Sequence, residues 1–341
     1  MKKLKKMLTL VCFAGVAICT RAQDPSFSQF FASPLNINPA LTGNINADWR
    51  AIANFRNQWL GPASPYVTGT ISYDRKIFQK KAPNSFVEEG NVFGVGGMLM
   101  VDRAMAGIAK STYASMNLSY IIKLTEGDIK NKLAAGFGAI YGERRIDFSR
   151  VDFEEQFTGY GFNTNLPTGE SSLSNMKPYF SLSAGITYSI TSEKGNFDVG
   201  VSGFHLNKPK QTFLEDENQV LAIRKVVHSN FERFLNDRVV LNVNGIYQEQ
   251  SKASYFSIGG GLGYYLPSAS DVLVMGGVWY WSANAVIPYF SFAYNDFQVG
   301  ISYDLTTSKL NQAADKPNTW ELSIILRGRN KPSAVIPCPW K

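Results

Sequence analysis

Polar and apolar residues alternate one by one over many short stretches of this chain, the pattern of extended strands whose successive side chains point to opposite faces. In DFQVGISYDL, Phe297, Val299, Ile301, Tyr303 and Leu305 fall on one face while Gln298, Gly300, Ser302 and Asp304 fall on the other. In YFSLSAGITYSI the apolar set Phe180, Leu182, Ala184, Ile186, Tyr188 and Ile190 opposes Ser181, Ser183, Gly185, Thr187 and Ser189. The same period runs through VVLNVNGIYQ, where Val239, Leu241, Val243 and Tyr247 oppose Asn242, Asn244 and Gln248, and through STYASMNLSYI, where Met116, Leu118 and Tyr120 oppose Ser115, Asn117 and Ser119. Strands are expected at 48–59, 65–75, 91–103, 108–123, 131–144, 175–190, 195–207, 220–233, 237–250, 253–266, 270–282, 285–294, 296–305 and 317–328.

A soluble β-sandwich alternates too, with its polar face in water. Two features favour a membrane barrel. The polar face is built mostly of Gly, Ser and Asn instead of the Lys and Glu of a solvated surface. Aromatic residues gather near strand ends, at Trp49, Trp59, Tyr66, Tyr73, Tyr264, Tyr265, Trp279, Tyr280 and Trp281, as interfacial girdles require. The expected fold is therefore all-β, a transmembrane outer-membrane β-barrel over 48–328 with about 14 antiparallel strands, an even number. Loop lengths fit both termini in the periplasm: the long gaps 145–174, 208–219 and 306–316 follow odd-numbered strands, and the turns at 191–194, 234–236, 267–269 and Asn295 follow even ones. The gap 76–90 is the exception, and 220–233 is an unusual strand because it carries Arg224, Lys225, Glu232 and Arg233.

The first 22 residues place Lys2, Lys3, Lys5 and Lys6 ahead of an apolar run from Met7 to Ile18, followed by Thr20-Arg21-Ala22, the layout of a cleaved secretory signal peptide. Without residues 1–22 the formal charge falls from +7 by five basic residues to +2, so no basic face for nucleic acid is left. Cys12 and Cys19 would leave with the leader, and Cys338 alone cannot form an internal disulfide. Residues 23–47, rich in Phe, Asn and Pro, have the composition to plug the lumen, latch its periplasmic mouth or bind a partner. The tail 329–341, with Pro332, Pro337 and Pro339, cannot extend a central strand and is read as periplasmic.

No catalytic, cofactor or metal site is expected. The glycine runs GVGGM at 94–98 and GGGLG at 259–263 lie inside alternating strands, where a phosphate-binding loop would need a strand-to-helix turn. There they read as curved wall positions or neighbours of aromatic rings. His205 and His228 are too few for most transition-metal sites. Ser229 is next to His228, yet adjacent strand residues point to opposite faces, which argues against a nucleophilic pair. The acidic stretches Asp152, Glu154, Glu155 and Glu215, Asp216, Glu217 match no calcium-loop spacing and read as solvated loop charge.

The segment QDPSFSQFFASPLNINPALTG, residues 23–43, resembles the amino-terminal motif of the PorP/SprF family of Bacteroidota type IX secretion membrane proteins, through Asp24, Phe27, Gln29, Phe30 and Asn38 to Gly43. Arg56, Gln58 and Trp59, the SYD of 72–74 and Pro337-Cys338-Pro339 are similar to further family positions. The resemblance implies a non-enzymatic outer-membrane barrel of the secretion and gliding machinery, set in outer-membrane lipid. Its implied partners are periplasmic type IX components, or a secreted surface protein that it helps to export or anchor. The competing expectations are an outer-membrane channel for a small molecule and, further off, a soluble adhesin sandwich.

Overall fold

A computed structural model of the protein describes residues 24–328 apart from 62–63, 79, 82–87, 126, 170–175, 212–218, 268, 283 and 309–316. Fourteen strands run up and down in chain order: β1 Trp49–Leu60, β2 Tyr66–Ile77, β3 Val92–Ala104, β4 Ala109–Lys123, β5 Lys130–Ile146, β6 Tyr179–Ser192 and β7 Gly195–Phe204. They continue with β8 Arg224–Phe234, β9 Val239–Gln250, β10 Ala253–Leu266, β11 Ala269–Trp281, β12 Ala285–Tyr294, β13 Phe297–Tyr303 and β14 Asn318–Gly328. Each pairs antiparallel with its neighbours, and β14 pairs with β1 from Trp49↔Gly328 to Arg56↔Glu321 and beyond, which closes the sheet into a barrel. Closure leaves no long strand edge to satisfy, the condition for crossing hydrocarbon with strands.

The two faces have opposite chemistry, and they are inverted relative to a soluble protein. Met116, Leu118, Phe180, Ile186 and Ile301 are exposed on the outer wall, while Ser115, Asn117, Ser119, Ser181, Ser183, Thr187 and Ser302 are buried inside. Strand β8, charged as it is, pairs along its whole length with both β7 and β9. Its charges are tolerated by position: Arg224 turns inward to an ion pair, Lys225 reaches Glu249 at 3.1 Å, and Glu232 and Arg233 sit at the opposite rim.

The expected girdle needs one correction. Trp279 and Trp281 are buried, and only Tyr280 between them is exposed on the outer wall. Strand alternation forbids three consecutive rings from sharing a face. Asp304 interrupts the expected strand 296–305, and the two residues after it, Leu305–Thr306, pair with β12. The exceptional gap 76–90 contains a two-residue ribbon, Lys80–Lys81 with Glu88–Glu89.

Candidate functional site

Ahead of β1, residues 24–48 lie within the wall and bond to inward-facing side chains of strands all round the barrel. Three short 3-10 turns, Phe30–Ala32, Pro34–Asn36 and Pro39–Leu41, compact the segment, with proline supplying the fixed φ at the start of two of them. The Asn38 side chain accepts from Ala40 N at 2.9 Å and so caps the third.

Near the mouth formed by the long loops, Asp24 makes an ion pair with Arg224 at 3.2 Å and hydrogen-bonds His205 Nε2 at 2.8 Å and Gln250. Burial opposes ionisation of Asp24, but the Arg224 and His205 charges outweigh it and hold the carboxyl well below the usual range. Below this, the backbone N–H groups of Ser28 and Gln29 donate to the Glu321 carboxylate at 2.6 and 2.8 Å, and Ser28 Oγ donates to Asp304 at 2.7 Å. Arg56, wholly buried, bridges Glu321 and Asp304 and stacks over the Trp281 ring at 5.0 Å. Phe31 packs against Trp279 and Tyr289 with ring centroids 5.0 and 5.2 Å apart, which explains the inward tryptophans.

Halfway along, Asn38 donates to Thr187 Oγ1 and to the Ile186 and Val201 carbonyls, and meets His228 Nε2 at 3.1 Å. Close to the short-turn mouth, Ser119 donates to Thr42 O, Gly43 N donates to Asp74, and Asn44 donates to Ser189. The segment therefore traverses the lumen from one mouth to the other.

Wall glycines make this possible. A Cβ on Gly185 would lie 2.1 Å from Asn38 Oδ1, and one on Gly136 would lie 2.2 Å from Ala40 N. Gly94, first of the GVGGM run, would likewise meet Thr42 O at 2.2 Å. Curvature alone does not account for Gly94: like Gly136 and Gly185, it is where the inner segment touches the wall, whereas Gly96 and Gly97 of the same run lie close to neighbouring strands only.

The two histidines are both lumen residues, and they differ in company. His205 joins Ser181 Oγ at 2.7 Å on one side and Asp24 on the other, the residue types of a hydrolytic triad. Ser181 is wholly buried, which leaves no room for an acyl group beside its Oγ in this arrangement. The group works as an anchor for Asp24. Sequence reasoning missed it because Asp24 and His205 stand 181 positions apart. The sequence pairing of Ser229 with His228 does not form a contact: His228 binds Asn38. Among the described residues no group of three or more potential metal ligands occurs.

A second feature lies outside the lumen, in the loop between β5 and β6. Its base is tied down by Asp147 N donating to Ile108 O and Arg150 donating to Ala106 O. Gln156, buried, accepts from Phe153 N and donates to Leu166 O at 3.0 Å. Beyond it a tight hairpin forms, with Phe157 bridged to Phe162 and Thr158 N donating to Gly161 O at 3.0 Å. Phe157, Tyr160 and Phe162 stand exposed at its tip. Asp152, Glu154 and Glu155 are exposed beside them, while Glu215, Asp216 and Glu217 lie outside the described residues.

A closed, lipid-facing wall of fourteen strands with its own N-terminal segment bound through the lumen defines the class: an outer-membrane β-barrel. The chain belongs to the PorP/SprF family of type IX secretion system membrane proteins, which matches residues 19–326. Among solved structures it is similar to a TodX monoaromatic hydrocarbon channel deltaS2 mutant, at 7% identity over 86% of this chain and 93% of that one, TM-score 0.51. It is also similar to the Ralstonia pickettii toluene transporter TbuX, at 11% identity over 87% and 93%, TM-score 0.49. At such identities the likeness concerns the fold alone. No curated protein matches the chain.

Proposed function

We propose that this protein is a non-enzymatic docking barrel of the type IX secretion and gliding apparatus, partnering secretion components or a secreted surface protein during export or surface anchoring. In this reading residues 1–22 are a removed leader, 23–47 are a resident plug, and residues 329–341 are a periplasmic tail. The observation that carries it is the lumen, bound by the chain's own segment at Asp24, at Ser28 and Gln29, at Asn38, and at Thr42 to Asn44. A barrel so occupied has its partner-accessible chemistry in its loops, where a rigid scaffold usually carries specificity.

The same observation weighs against a small-molecule channel, which needs a continuous path through the lumen. The test is purification from cell envelopes in mild detergent after brief cross-linking, followed by protein identification. Recovery of type IX periplasmic components, or of one large surface protein in stoichiometric amount, is the expected result. A barrel that emerges alone and passes solutes steadily in liposomes contradicts the proposal.

A further inference from the structure

The hairpin at the outer loop has two properties that seldom coincide by chance. Its exposed rings, Phe157, Tyr160 and Phe162, are held by satisfied backbone bonds, with Phe153 N and Asn163 N both donating to Gln156 and Thr158 N to Gly161 O. Gly159, at φ +86°, makes the turn. Rigid aromatic side chains on a fixed loop bind at low entropic cost and are the usual anchors of a protein interface. The second property is charge. From Val151 to Met176 the chain carries Asp152, Glu154, Glu155 and Glu170 and no Lys, Arg or His.

Together these select the occupant. A lipid surface bearing phosphate would take the rings but repel the carboxylates, whereas a protein segment with basic side chains around an apolar pocket satisfies both. We propose that the tip Phe157–Phe162 is the docking element for a basic, apolar protein segment, with the three rings as anchors and Asp152, Glu154 and Glu155 steering the approach. This rests on the docking function proposed above and names the chemistry of the partner.

The test pans a phage-displayed random peptide library against the full-length barrel in nanodiscs, with the variant Phe157→Ser, Tyr160→Ser, Phe162→Ser as counter-selection. Heat-modifiable gel mobility confirms that the variant is folded. The expected result is enrichment of peptides joining Lys or Arg to Trp, Phe or Leu, with affinity for the variant reduced about thirtyfold or more. Binding should also weaken as salt rises and after Asp152→Lys, Glu154→Lys, Glu155→Lys. Peptides lacking basic residues, equal binding to the serine variant, no enrichment, or capture by the tip of lipopolysaccharide liposomes or glycans would each overturn the inference. In cells the two claims separate. If replacing the whole 148–177 loop releases the partner and the serine variant does not, the tip assignment fails and the docking function stands; if neither releases it, this loop has no docking role.

Discussion

Glu321 is the best place to ask how firmly the inner segment is held. Its carboxylate accepts from Ser28 N at 2.6 Å, from Gln29 N at 2.8 Å and from Arg56, and all of these groups are buried. Charge-assisted hydrogen bonds contribute roughly 1.5–3 kcal/mol each, but three of them on one carboxylate do not add. Glu321→Ala also leaves two orphaned N–H groups, while Arg56 keeps Asp304 at 3.2 Å as counter-ion. Arg56 and Glu321 both belong to the wall and face each other with or without the segment, so release of the segment reads the loss of the two N–H bonds, about 2–4 kcal/mol together. Glu321→Gln behaves differently. The cluster of Arg56, Asp304 and Glu321 carries one positive and two negative groups, so the amide removes an excess charge; its oxygen still accepts from Ser28 N and Arg56, but its NH2 group then faces Gln29 N, and the expected cost is about 1–2 kcal/mol. The assay places a cysteine at Ala32, which is wholly buried, in a Cys338→Ser background and follows maleimide labelling as the segment leaves the lumen. At 1.4 kcal/mol per tenfold, Glu321→Ala should label about thirty- to a thousandfold faster, and Glu321→Gln only about five- to thirtyfold faster. Equal rates for the two variants would refute the reasoning.

Gly185→Val and Gly136→Val set new side-chain atoms against Asn38 and Ala40, so each should weaken segment binding by about 1–3 kcal/mol in the same labelling assay while the barrel still folds. Asp24 is held below the ordinary aspartate range, so its contribution is complete above about pH 4 and is lost only as pH falls from there through its depressed value. Measured relative to an exposed reference cysteine at the same pH, the labelling rate should therefore show no contribution from the Asp24 carboxyl between about pH 5 and 8, and Asp24→Asn should remove the acid-side rise. Ile301→Lys places a charge on the exposed outer wall and should cost about 2–4 kcal/mol in folding into liposomes if it lies near the midplane, whereas Ser302→Ala, facing inward, should cost far less.

Much of the wall was legible in the sequence because a two-residue period decides which face every side chain takes. The strands at 253–266 and 285–294 match in both bounds, and the inversion of polar and apolar faces follows directly from the alternation in 180–190. Expectations failed where a residue's role is set by something distant in the chain. Nothing near Trp279 shows that Phe31 lies against it, and nothing near Gly136 shows that Ala40 approaches it. The Asp24, His205 and Arg224 anchor gathers residues from three separate regions, and local periodicity carries no trace of such a meeting. Arg224 was itself a warning: a charged residue at an inward strand position needs a partner across the lumen.

The account turns on a barrel whose interior is occupied by its own N-terminal segment. Single-channel recording of the full-length protein in a planar bilayer tests this most directly. The expected result is a closed bilayer with the intact chain and a stable, ohmic conductance once residues 24–44 are removed. A steady open conductance from the intact protein, at a level unchanged by that deletion, would contradict it.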